Sequence, residues 1–256
     1  MGENESKSLD VLGLKAYGDA INAVTKGAID GASAFLGRIC LPAAEELGLL
    51  FRDRVSHWRA FQAAKIAEKA EEKLKTISDS EHGQAHPRLV GLTIEHGSWV
   101  DTDEVQEMWA GLLVSSCTKD GKDESNLMFI NLLSQLTASQ ARVLSYGCEK
   151  SEKVLSTSGL VAVYSGVYVS LKELTKITGI GDIYRLDREL DHLRVLGLLA
   201  AGMFPNPIYT ELGPTYTEVE PTVANLMPAA LGLQMYVRCQ GSRKSPAEYF
   251  ELIKSE

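Results

Sequence analysis

The sequence predicts a mainly α protein with a small β component: an N-terminal helical bundle with one long helix, then a C-terminal winged-helix-like module. Three observations carry this. The stretch from Ala43 to Ile77 keeps apolar residues close to the helical period, with no proline and one glycine, Gly48. Helix-start signatures, an acceptor side chain with Glu or Gln three places on, recur down the chain. After Thr137 the order becomes helix, strand, helix, tight turn, helix, strand, loop, strand, which is that of a winged helix.

Composition sets the outer limits. The 256 residues are 45% apolar and 23% charged, the balance of a soluble globular protein with enough chain to bury a core. With 26 basic and 34 acidic residues the net charge is -8, which argues against coating nucleic acid or anionic membrane by bulk charge. Cys40, Cys117, Cys148 and Cys239 form no CxxC pair, so neither a disulfide framework nor a zinc ribbon is read. Residues 1–10 are polar and acidic, unlike a secretory signal. The longest uncharged runs, near 155–171 and 221–237, are interrupted by Pro, Gly, Ser or Tyr and fall short of the roughly 18 apolar residues of a membrane span. A reduced, cytoplasmic protein is expected. The divisions read from the chain are 1–77 (amphipathic and long helices), 78–136 (helical core), 137–241 (winged-helix-like module) and 242–256 (tail helix).

From Ser8 to Leu41, Lys15, Asp19, Asn22, Lys26 and Asp30 make one narrow polar stripe on a helix. The rest of its surface is apolar or small, and Gly18, Gly27, Gly31 and Gly37 each cost about 1 kcal/mol of helix propensity relative to Ala. Close approach of another helix, or a bend, should compensate. Gly27 and Gly31 also stand at small-xxx-small spacing. A helix packed into the bundle or into a second copy is expected, with membrane association through residues 8–41 as the alternative. The zero sum of its charges weakens that alternative.

The long helix carries Leu47, Phe51, Val55, Trp58, Ile66, Ala70 and Leu74 on one stripe, interrupted by Gln62. At 1.5 Å per residue it would be about 50 Å long. Arg52, Arg54, Arg59, Lys65, Lys69, Lys73 and Lys75 outnumber the acids between Arg52 and Lys75, making this the one basic region of an acidic chain. Arg52, Arg54, Arg59, Lys65 and Lys69 are therefore candidate interaction residues, against the plainer reading of a solvated, salt-bridged helix face.

Residues 78–87 read as a loop. Helices follow over Arg88–His96, from Asp101 (capped by Asp101 with Glu104 at N3) and over Glu124–Leu136 (capped by Asp123). Thr137 with Gln140 opens another. Ser151–Gly159 reads as a loop and Leu160–Val169 as one or two strands. Ser170 caps Leu171–Ile177. Asp182 caps Ile183–Leu196, with Leu186, Leu190, Leu193 and Val195 inward and Gly197 ending it. Leu198–Phe204 and Thr215–Thr222 read as strands, Pro228 as the start of a helix, and Ser245-Pro246 as the start of a tail helix.

The winged-helix order suggests DNA, but the charges do not. The helix, counted from its cap Asp182, holds three basic and four acidic residues, and no Lys or Arg lies between Pro205 and Val237. His82 and His86 have zinc-ligand spacing, yet Gly83 and Pro87 deny them a shared helix, and a solvated loop explains them. Nucleophile-elbow, dinucleotide, P-loop and deaminase motifs are absent from the sequence.

Three stretches carry a family resemblance: Leu41–Leu74, with Arg54, Trp58 and Arg59; His86–Leu113, with VQEMWAGLL over Val105–Leu113; and Phe129–Ala141, with the Leu136–Ala141 helix start. Together with Thr222–Cys239 they resemble the Abi-alpha family of bacterial abortive-infection-associated proteins. The matching residues are packing and capping residues, with Met108 and Trp109 read as core. The resemblance implies a part in phage defence and no catalytic residues. The expected protein is thus non-enzymatic, needs no cofactor and no metal, and acts through a protein partner or a homo-oligomer. A winged-helix DNA-binding regulator and a membrane-acting effector are the alternatives. No small molecule is implied.

Overall fold

The computed structural model describes residues 27–28, 30–32, 34–40, 57–76, 83–203 and 222–253. Helix α1 takes in residues 27, 28, 30–32 and 34–39, and α2 spans His57–Lys75. Strand β1 (Gln84–Ala85) pairs antiparallel with β2 (Cys117–Thr118), and between them lie α3 (Pro87–Gly97) and α4 (Asp103–Ser115). Next come α5 (Leu127–Leu133) and α6 (Ala138–Lys150). The hairpin β3 (Glu152–Leu155) and β4 (Val161–Ser165) precedes β5 (Val167–Ser170), α7 (Leu171–Thr178) and α8 (Ile183–Val195). The chain closes with β6 (Thr222–Leu226), α9 (Ala230–Cys239) and α10 (Pro246–Tyr249).

Helix α4 is the hub. It packs on α2, α3, α5, α6 and α9. From Val105 to Ser115 every residue except Glu107 is buried, as a helix that is apolar nearly all round must be. Trp109 is fully buried and worth roughly 3 kcal/mol of apolar transfer. Met108 is buried beside it. Gly111 lets α4 touch the end of α9 backbone to backbone: a Cβ there would lie 1.7 Å from the Cys239 carbonyl oxygen. On α2 the facing residues are also small, with Ala63, Ala64, Ala67 and Ala70 buried around Ile66. Gln62 does not interrupt this face. It is buried and accepts a 2.9 Å hydrogen bond from Gln106 Nε2 of α4, so two amides satisfy each other inside the seam.

In the C-terminal part, β5 pairs antiparallel with β6 (Val167 opposite Leu226, Val169 opposite Ala224). On its other side Ala224 bridges Met203, and Leu199 bridges Pro228. Three extended segments thus lie side by side, with β5 and β6 packed on α7 and β6 also on α6. The capping boxes at Thr137–Gln140, Ser170–Glu173 and Ser245–Glu248 all form, and Asp182 caps α8 through the Tyr184 and Arg185 amides.

Several expectations are corrected. Thr102, not Asp101, occupies the cap of α4 and makes no side-chain cap bond; Asp103, in the first turn, pairs with Lys69 instead. Helix α5 is shorter than Glu124–Leu136, because Asp123 accepts from the Ser125 amide in a turn and Asn126 donates to the Ser115 and Ser116 hydroxyls. Part of Ser151–Gly159 is strand β3, drawn into register by β4. Pro228 stands before the cap of α9, held extended by its bridge to Leu199. Val195 is exposed, not inward, and Trp58 is largely exposed. Expectations for residues 1–26, 41–56 and 204–221, including the strand before Thr222, lie outside the described residues.

Candidate functional site

The basic region is where the sequence places its candidate residues, and the structure gives several of them partners within the fold. Lys69 and Lys73 are one turn apart on α2. Asp103 and Glu107 are one turn apart on α4. Lys69 Nζ lies 2.9 Å from Asp103 and 2.6 Å from Glu107, and Lys73 Nζ lies 2.8 Å from Glu107. Two i,i+4 pairs of opposite sign on facing helices therefore interlock. Burial pulls the Lys69 ammonium down, but hydrogen bonds and the charges of Glu107 and Asp103 outweigh it and hold its pKa above the ordinary lysine value. Burial pushes Glu107 up, and hydrogen bonds from Lys69 and Lys73 reverse this and hold it below the usual range. Asp103 is lowered chiefly by its hydrogen bond to Lys69.

Arg59 is held too. Its Nε and Nη2 donate to the Ser98 hydroxyl at 3.0 and 2.8 Å, and Nη2 donates to the Glu95 carbonyl at 3.1 Å. The guanidinium lies 4.2 Å from the Trp99 ring centre. Lys65 Nζ sits 4.8 Å from the Phe61 ring centre. Arg52 and Arg54 lie outside the described residues. Gly27 and Gly31 face open space: no described atom comes within 4 Å of a Cβ built on either, so the close approach expected there is not made among the described residues. The α1–α2 contact is made lower on α1, by Phe35, Leu36 and Ile39 in the core and by Arg38 paired with Glu71.

Beside the Lys69–Glu107–Lys73 cluster an open groove of about 1040 Å³ separates the end of α2 from the 240–248 loop, with Glu72, Arg243, Lys244 and Glu248 on its walls. Composition alone gave no sign of it, because Arg243 and Lys244 are far from α2 in the chain. Two of these side chains are engaged within the fold: Arg243 donates to the Cys117 carbonyl at 2.7 Å, and Glu248 caps α10. A smaller hollow of about 430 Å³ lies between α4 and α6, lined by Met108, Arg142, Tyr146 and Ile177.

All four cysteines are buried. Burial pushes the Cys117 thiol up to about 12, and Cys148 and Cys239 are raised as well, so these three are thiols near neutral pH. Among the described residues no three His, Cys, Asp or Glu side chains gather in a set that could hold a metal. His86 instead caps α3, its Nδ1 accepting from the Arg88 amide. No described helix is long and apolar enough to cross a membrane.

The C-terminal helix α8 presents the opposite surface. Two of its three arginines pair along the helix, Arg185 with Glu189 at 3.6 Å and Arg194 with Asp191 at 2.6 Å, while Arg188, Ile183, Tyr184 and Val195 are exposed.

Fold and surface together define a mainly helical protein with small antiparallel strand pairs. The chain belongs to the abortive infection alpha family, whose model matches residues 60–228. Membership suggests a role in abortive infection, the phage-defence response the sequence resemblance implies. No curated protein and no solved structure matches the chain.

Proposed function

We propose that this is a cytoplasmic phage-defence protein that works by gripping polypeptide, not by catalysis, with residues 137–241 as a winged-helix-like docking module. The observation that supports it best is α8. A helix that reads a duplex keeps cations free for phosphate, since phosphate contacts supply most of the affinity. Here two of the three arginines, Arg185 and Arg194, lie against carboxylates of their own helix, and Ile183, Tyr184 and Val195 are among its exposed side chains. Tyrosine is among the residues enriched at the energetic centres of protein contacts.

The test is phage plating on cells carrying the gene, the Tyr184→Glu variant or neither. Protection by the wild type, lost in the variant while its thermal melt is unchanged, is the expected result. Equal plating with and without the gene across a broad phage panel overturns the defence role. Tight binding to duplex DNA at low salt that weakens steeply as salt rises overturns the polypeptide role.

A further inference from the structure

We infer that the hollow between α4 and α6 is a binding site for a small organic amine, a cationic group on an apolar body. Its volume of about 430 Å³ falls within the roughly 300–1,000 Å³ of small-molecule sites. The floor is apolar, made by Met108 of α4, Ala141 of α6 and Ile177 of α7. Met108 and Ala141 are buried, so the surface they offer is fixed by the core behind them. Ser145 and Tyr146 add hydroxyl-bearing side chains on the α6 wall, the few polar groups that orient a ligand in such a site.

Charge selects the sign of the ligand. Glu104, Glu107 and Glu149 stand around the hollow with one cation, Arg142. Two of the carboxylates are already answered, Glu107 by Lys69 and Lys73 and Glu104 by Arg142 Nη1 at 3.9 Å. Arg142 is also turned to the end of α7, its Nη2 donating to the Thr178 carbonyl at 3.0 Å. Glu149 is answered differently. Lys153, one turn on, gives its ammonium to the Glu149 main-chain carbonyl at 3.2 Å, while the carboxylate accepts from the neutral Tyr236 hydroxyl at 3.3 Å. Burial, then the Glu149 charge, pushes that hydroxyl up, so it stays a donor and holds the carboxylate in place.

Two helix ends add to the same sign. Ile177 lies in the last turn of α7, and Cys239 and Gln240 are the last residue and the C-cap of α9. Each helix carries about half a negative charge at that end. An anion is repelled here, and a neutral apolar ligand leaves Glu149 unmatched. A metal ion fits no better, since no three ligating side chains gather among the described residues. An amine satisfies both halves of the site: its charge meets Glu149, and its hydrocarbon covers Met108, Ala141 and Ile177. The inference stands apart from the docking reading of α8, whose exposed residues line no part of this hollow.

Methyl-detected NMR of the full chain, titrated with phenethylamine, is the test. The methyls of Met108, Ala141 and Ile177 should shift together and saturate. Hydrocinnamate, the same hydrocarbon with the opposite charge, should leave them in place. Glu149→Gln, which keeps an acceptor for Tyr236, should weaken amine binding by about fivefold with the thermal melt unchanged. Ser145→Phe should fill the hollow and abolish the shifts; if it does not fold, Glu149→Gln carries the comparison. No saturating shift with the amine, equal shifts with hydrocinnamate, or unchanged affinity in Glu149→Gln each overturn the inference. Tighter binding of acetyl-lysine amide, the lysine side chain of a polypeptide, than of phenethylamine would overturn the small-molecule source.

Discussion

The α2–α4 seam and the α6–α8 module use the same residue types in opposite ways. In the seam, charges reach across from one helix to another, Lys69 and Lys73 to Asp103 and Glu107, over a buried layer of alanine, Ile66 and Trp109. In the module, two of the three arginines of α8 reach along their own helix, and Ile183, Tyr184 and Val195 remain outside. Cross-helix pairs help fix how two elements sit. Pairs within a helix fix only that helix, and leave its outer face available. The difference separates a region that holds the fold from one that can hold something else.

The largest effect should come from breaking the seam at its tightest point. Gly111→Val puts a side chain where the Cys239 carbonyl already stands, and backbone cannot swing aside as a side chain does. The expected loss is about 3 kcal/mol or more, read from the urea midpoint. Gly91→Ala, on α3 with nothing within 4 Å of the added methyl, should instead gain up to about 1 kcal/mol. Equal midpoints for the two variants would mean that α4 and α9 do not touch as described.

What was legible in the sequence divides along the same line. The capping boxes at Thr137, Ser170 and Ser245 and the cap at Asp182 are local chemistry, complete within four residues, and all form. The α4 start is not legible locally because Asp103 answers Lys69 on another helix and not its own helix end. The β3 stretch reads as loop because its strand character comes from β4. Gln62 looked like a flaw in the apolar stripe because its partner, Gln106, lies on another helix. A signal for the candidate site was present: Lys69 and Lys73, then Asp103 and Glu107, repeat one spacing with opposite sign. The wall added by Arg243 and Lys244 had no such signal, since only the turn after α9 brings those residues back to α2.

That amide pair gives a second, smaller test. Gln106→Ala strands Gln62 Oε1 in the seam and should cost about 1–3 kcal/mol in denaturant unfolding. Replacing both amides, Gln62→Leu with Gln106→Leu, removes the stranded group and should recover most of that loss. A double variant as unstable as the sum of the singles would show that the two amides are not partners, and that the seam is held by its small residues alone.

The smallest effect is the most diagnostic for the contrast between the regions. Glu107 and Asp103 lie below their ordinary values of 4.5 and 3.8, so their contribution is fully present above those values and is lost as pH falls through the lower folded ones. Lys69 lies above 10.5, so its contribution is complete below that pH and is lost only as pH rises through the higher folded value. The contribution of these pairs should therefore be level from about pH 5 to about pH 10 and decline below about pH 4, and Lys69→Met should make the acid limb shallower. A cycle of Lys69→Ala with Glu107→Ala should give a coupling of about 0.5–1 kcal/mol, because one carboxylate is gripped by two ammonium groups across a packed seam. The matching cycle of Arg185→Ala with Glu189→Ala should give about 0.2–0.5 kcal/mol, as for an ordinary pair one turn apart. If the α8 pair coupled as strongly as the seam pair, Arg185 would be helping to hold the fold, and the argument that α8 is free to meet a partner would lose its footing.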